Sequence, residues 1–147
     1  SFDCALFSAN GIDHIPGYGQ KLEALRQVFR VLKPGAPFVF SVHRMWSPTH
    51  VRRLVLGGLK MSMGKIMGFK TLEKEWGELY DLNAAIPEER YGQSLSAGKW
   101  KQALKTVGFD LVFSQSRFRL EYPTRPRRWL RKSLTSANFM FYVVRRP

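Results

Sequence analysis

"VFRVLKPGAPFVFSVH", residues 28–43, decides the fold. It begins as the end of an apolar helical pattern, passes through Lys33-Pro34-Gly35, and continues as a solid hydrophobic run that stops at His43. Pro34 has no amide hydrogen and pushes Lys33 away from helical angles, while Gly35 can take the positive φ of a tight exit. "FVFSV" lacks polar alternation and so reads as a strand covered on both faces. Upstream, Leu22, Leu25, Val28, Phe29 and Leu32 recur at spacings of three and four within "QKLEALRQVFRVL", an amphipathic helix with its charges on the other side. Further upstream, "FDCALFS" (Phe2–Ser8) is a short apolar run that reads as another strand covered on both faces. The intervening "ANGIDHIPGYG" carries Asn-Gly and Pro-Gly and is a loop. Strand, helix and strand in close succession form a βαβ unit, with parallel strands joined by a right-handed crossover.

The rest of the chain adds to this unit. Residues 44–95 mix Met, Gly and basic residues without sustained periodicity, which predicts an irregular or partly helical cap over the sheet. "SAGKWKQALKTVGF" restores order: Ser96 is an N-cap, Trp100, Leu104 and Val107 share a helical face, and Gly108 ends the helix. "FDLVFSQSRF" (109–118) alternates as a strand near a sheet edge does, and "NFMFYVVR" (138–145) is one more strand. With no helix between these two, they predict an antiparallel pair closing an otherwise parallel sheet. The expected organisation is one partial domain, 1–147, with 44–95 as a variable cap.

Composition narrows the function classes. A chain of 147 residues with 44% hydrophobic and 14% aromatic content has room for one domain with a real core, which argues against overall disorder. No apolar run reaches the roughly 18–20 residues that a membrane-spanning helix needs. The single cysteine, Cys4, excludes an internal disulfide framework and fits a reducing compartment, so cytoplasm is the expected location. The start "SFDCALFSANG" carries neither a basic leader nor Met and already lies in strand-like sequence, so the expectation is a fragment. Net charge is +13, and it is concentrated: Arg44 to Leu72 holds six basic side chains and no acid, Ser114 to Pro147 nine against Glu121 alone. Such patches attract anions, whether nucleic acid, anionic lipid or an acidic part of the same protein. "RPRRWLRK" (125–132) interleaves Trp129 with five cations and is either a solvated connection or a contact for nucleic acid or anionic lipid.

Taken together, "FDCALFSANGIDHIP", "FRVLKPGAPFVFSVH", "VGFDLV" and "FMFYVVRR" resemble the C-terminal half of a class I S-adenosylmethionine-dependent methyltransferase. Arg30-Val31-Leu32-Lys33-Pro34-Gly35 matches that family's turn into its fifth strand, with Ala36 where a second glycine is usual, and Asp3 stands where an Asp opens its fourth strand. The resemblance covers about two-thirds of the chain and fails over the cap. It implies an α/β, Rossmann-like methyltransferase sheet that is partial: strands four, five, six and seven with an antiparallel last strand, the first half missing. The family's glycine-rich loop and its ribose-binding acid belong to that missing half. The resemblance therefore also implies an unpaired, hydrophobic edge at "FDCALFS" and no appreciable cofactor binding by the chain alone.

In open α/β sheets the ligand lies beyond the carboxyl ends of the strands where strand order reverses. In the resembled fold this places Phe7, Ser8, Ala9, Asn10 and Gly11 against the methionine part of S-adenosylmethionine; as bare sequence, Asn10-Gly11 is equally a turn. His14 and His43 fall on the same rim as candidate general bases, and otherwise are ordinary rim histidines. Tyr18 and Trp46, with Met61, Met63 and Met67, are candidates for an acceptor pocket or for simple packing. No metal-ligand spacing is present. The expected acceptor is a small molecule. Two rival readings stay open: a basic, non-enzymatic module for nucleic acid or anionic membrane, and another Rossmann-like enzyme such as a nucleotide-dependent oxidoreductase.

Overall fold

The structure is a computed structural model and describes residues 1–43, 48–71, 75–80, 91–121, 123–124 and 139–147. Strand β1 (Ala5–Phe7) leads through a 3-10 turn (Gly11–His14) into helix α1 (Tyr18–Val31) and strand β2 (Pro37–His43). Helix α2 (Pro48–Met67) and the strands β3 (Glu78–Tyr80) and β4 (Tyr91–Gln93) form the cap. Helix α3 (Ala97–Val107), strand β5 (Asp110–Ser116), the short helix α4 (Arg117–Glu121) and strand β6 (Phe139–Arg145) complete the chain.

The main sheet has the order β1-β2-β6-β5. β1 and β2 run parallel, with Ala5 beside Phe38 and Phe7 beside Phe40. β6 is antiparallel to both of its neighbours, β2 and β5. The antiparallel pair read from the sequence is therefore present, but its second member lies inside the sheet while β5 takes the edge. A register shift between Leu111 and Phe113 bends that edge strand.

The turn at Lys33-Pro34-Gly35 works as its residues dictate. Leu32 leaves the helix at φ −76° and ψ 148°, and Gly35 sits at φ 80°. The Gly35 amide donates to the Arg146 carbonyl at 2.7 Å, tying this exit to the last strand. The Arg146 guanidinium lies 4.8 Å over the Phe29 ring and donates to the Leu32 carbonyl. Helix α3 begins at Ser96, whose hydroxyl accepts the Lys99 amide at 3.2 Å, and ends at Gly108 with φ 103°.

One face of the sheet holds the core. Phe38, Phe40 and Val42 project from alternate positions of β2 and are buried with Tyr142 and Val144 of β6, Leu25 of α1, and Trp100 and Leu104 of α3. Phe40 stacks on Tyr142 at 5.0 Å between ring centroids, and Trp100 packs on Phe40 at 5.5 Å. On the opposite face Val39, Phe141 and Val143 are half-buried.

Two expectations change. The first strand is Ala5–Phe7 alone, with Phe2 in an isolated bridge to Leu32, and it is not covered on both faces: Leu6 is 72% exposed. β1 has β2 as its one neighbour in the sheet, so its other edge and second face lack a packing element among the described residues. The cap is regular where it is described. α2 is a helix of 20 residues, and β3 and β4 form an antiparallel pair. Its pattern misled because Gly57 and Gly58 interrupt the helical stripe and Val55, Leu56 and Leu59 are exposed. Among the described residues no helix is long and apolar enough to cross a membrane.

Candidate functional site

The loop after β1 lies at the carboxyl end of the parallel pair. Ala9 and Asn10 both take left-handed angles, φ 51° and 57°, a conformation uncommon for residues with a side chain, though Asn adopts it more readily than Ala. The segment is over-determined by its neighbours. The Gly11 amide donates to the Ser8 carbonyl and the Asp13 amide to the Asn10 carbonyl. The buried Asn10 amide donates to the Ser41 hydroxyl of β2 at 3.1 Å. A Cβ at Gly11 would stand 2.9 Å from the Phe7 ring, so a larger residue here would have to displace that ring. Ser8 and Ala9 are exposed, while Phe7 and Gly11 are half-buried. Asn10 Oδ1 is buried without a hydrogen-bond partner among the described residues.

Beside this loop stands a group that sequence reading did not single out. Asp13 is 2% exposed; its Oδ2 accepts the His43 amide at 2.6 Å and faces His43 Nδ1 at 3.0 Å. Lys21 is buried as well, and its Nζ donates to the carbonyls of Ile12 at 2.9 Å, Asp13 at 3.0 Å, and Ile15. Burial pushes the Lys21 ammonium down to about 8, against the pull of Asp13, Glu75 and Glu78. Lys21 thus clamps the 3-10 turn that carries Asp13. A signal for it exists: Lys21, Leu25, Val28 and Leu32 follow one another at spacings of four, three and four, so this lysine sits on the apolar stripe. Asp13 offered none, because its partner lies 30 residues away.

His14 is half-buried, and its Nδ1 lies 2.7 Å from the Tyr91 carbonyl, to which it donates. The Gly17 amide donates to the Tyr91 hydroxyl at 3.0 Å, and that hydroxyl donates to Glu78 at 3.1 Å. Burial, with Glu78 alongside, raises the Tyr91 phenol well above its ordinary range. The Tyr18 amide donates to Glu75 Oε2 at 3.1 Å, as does Gln93 Nε2 at 3.0 Å. These two donors, Gln93 first, hold the Glu75 carboxyl below its usual range. The cap hairpin is therefore stitched to the rim at His14, Gly17 and Tyr18.

The structure thus brings Ser8 to Gly11, His43 and Asp13 together at one end of β1 and β2, with His14 and Tyr18 flanking them under the cap. Met61 is half-buried beside Gly57 and Gly58, whereas Met63 and Met67 are exposed, so the three methionines do not converge. Asp3 is exposed and pairs with Lys33 at 2.7 Å. Trp46 and the basic stretch 125–132 lie outside the described residues. No cluster of metal-ligating side chains occurs among the described residues.

No protein-family model matches the sequence, and no curated protein matches it. The fold does match solved structures. A S-adenosylmethionine-dependent methyltransferase from Methanosarcina mazei superposes with a TM-score of 0.65 at 18% identity, over 99% of this chain and 59% of that one. One from Mesorhizobium loti gives 0.57 at 21% identity, over 99% and 62%. The CcbJ methyltransferase from Streptomyces caelestis gives 0.55 at 14% identity, over 99% and 61%. The chain has a class I methyltransferase-like fold, an α/β architecture with a mixed sheet, and it spans about three-fifths of the length of these structures.

Proposed function

We propose that this chain is the C-terminal part of an enzyme that transfers a methyl group from S-adenosylmethionine to a small-molecule acceptor. In that reading β1, β2, β5 and β6 are the fourth, fifth, sixth and seventh strands of the methyltransferase sheet. The observation that carries it is the strand order β1-β2-β6-β5, with one strand reversed inside the sheet, in a fold shared with solved methyltransferases. A preceding segment would supply the strand beside β1. The outer edge of β1 and the face carrying the exposed Leu6 and the half-buried Val39, Phe141 and Val143 favour such a completion.

The residues present fit one wall of the cofactor site. The loop from Ser8 to Gly11 occupies the carboxyl end of the sheet with a fixed backbone, and the unpartnered Asn10 Oδ1 is an acceptor in need of a donor. Ser8, through its hydroxyl and backbone amide, and Asn10, through its side chain, would hold the methionine end. When bound, the cofactor supplies a methyl group on a sulfonium centre, open to in-line attack. The chain's own part is to align the acceptor and receive its proton, with His43 or His14 as base and Tyr18 at the entrance under the cap. The chain by itself lacks the glycine-rich cradle and would be inactive.

Calorimetric titration tests this reading. The chain extended upstream by the strand and glycine-rich turn of the missing half binds S-adenosylmethionine with micromolar affinity, and the chain alone gives no measurable heat. A folded extended chain that ignores the cofactor refutes the proposal. Binding to generic RNA or anionic vesicles that collapses with salt and is indifferent to the cofactor would instead mark a basic binding module.

A further inference from the structure

We propose that Asp13 is a positioning residue that holds the His43 imidazole in its Nδ1–H tautomer, so that Nε2 is the nitrogen with the basic lone pair. The role of that lone pair as a base rests on the methyl-transfer reading; the tautomer does not. A carboxylate is an acceptor only, so the 3.0 Å contact between Asp13 Oδ2 and His43 Nδ1 requires the proton to lie on Nδ1. The same oxygen accepts the His43 backbone amide at 2.6 Å. Backbone and ring of one residue are thus held by one atom, which fixes the ring's rotation as well as its tautomer. Phe139 packs against the His43 ring at a tilt, with centroids 5.3 Å apart.

Asp13 is suited to this work by its own support. It is 2% exposed, its Oδ1 is buried without a hydrogen-bond partner among the described residues, and a buried charge of that kind needs compensation. Lys21 supplies it from α1, donating to the Asp13 carbonyl and to the carbonyls on either side of the turn. Glu75 and Glu78 are the other charged groups that face Lys21. When Nε2 takes one proton from an acceptor's O–H or N–H, Nδ1 keeps its own, and the imidazolium that forms faces the Asp13 carboxylate. No proton need pass to Asp13. His14 has a weaker claim to the same role, since its Nδ1 donates to a neutral backbone carbonyl of the cap.

The test is long-range nitrogen–proton NMR on the full chain labelled with 15N-histidine, at a pH where imidazole is neutral. His43 gives a pyrrole-type Nδ1 and a pyridine-type Nε2, the reverse of the preference of a free imidazole. In Asp13→Ala that pattern is lost and the two tautomers mix as in a free side chain. Asp13→Asn keeps the volume and a carbonyl acceptor, and retains part of the Nδ1–H population. The Trp100 indole resonance reports whether each variant keeps its core. A wild-type His43 with its proton on Nε2 overturns the proposal even if neither variant folds, and so does an unchanged pattern in a folded Asp13→Ala. None of these outcomes bears on cofactor binding, which the calorimetry decides separately.

Discussion

Lys21 shows most clearly how a single residue is set by its surroundings. Its ammonium is buried, so the native state favours the neutral form and its pKa falls from 10.5 to about 8. The unfolded chain still holds that proton between those values, so the native state gains stability as pH rises through this window. Below about 8 the cost of burying the charge is present in full. Urea unfolding across pH 7.5–10.5 therefore shows wild type gaining roughly 3 kcal/mol that a Lys21→Met variant does not gain; parallel curves would count against it. Ser96 is a simpler case. Its hydroxyl satisfies the Lys99 amide, and Ser96→Ala is expected to lose about 1 kcal/mol in the same measurement. Ser96 and Asp13 differ in legibility for one reason. A cap works within one turn of chain, so Ser96 was visible in sequence, whereas Asp13 gains its meaning from His43, and its local sequence Gly-Ile-Asp-His reads only as loop.

At the scale of elements, legibility followed the strength of local punctuation. α1 (Tyr18–Val31) stops just before Lys33-Pro34-Gly35, with Gly35 left-handed, and α3 (Ala97–Val107) lies between the Ser96 cap and the left-handed Gly108. α2 also ends at a left-handed glycine, Gly68 at φ 75°, but no unbroken apolar stripe leads up to it; three-residue strands such as β3 and β4 have too few positions to show a period. The sequence of β1 shows a strand but not its burial, because an apolar run looks alike whether both of its faces are covered or are still waiting for partners. That difference has a consequence. An unpaired edge with Leu6 at 72% exposure invites pairing with a second copy. Sedimentation velocity should show concentration-dependent association of wild type that is sharply reduced in Leu6→Lys, with the thermal midpoint nearly unchanged because the side chain is already exposed. Equal association of the two proteins would show that β1 is not the sticky element.

Across the whole molecule, the sheet brings together what the sequence keeps apart. Parallel pairing of β1 and β2 sets the Ser8–Gly11 loop and His43 at one end, and the 3-10 turn places Asp13 between them. The βαβ unit and the late antiparallel pair were readable from hydrophobic pattern and turn chemistry. The place of β6 between β2 and β5 was not, since strand order depends on which faces need cover rather than on any local signal. The proposed function makes this end of the sheet one wall of a methyl-donor site. It is tested most directly by following backbone amide resonances of the upstream-extended chain as S-adenosylmethionine is added. The amides of Ser8–Gly11 and His43 are expected to shift and saturate together while those of β5, at the far edge, stay still. Saturable binding that leaves Ser8–Gly11 unmoved would contradict it.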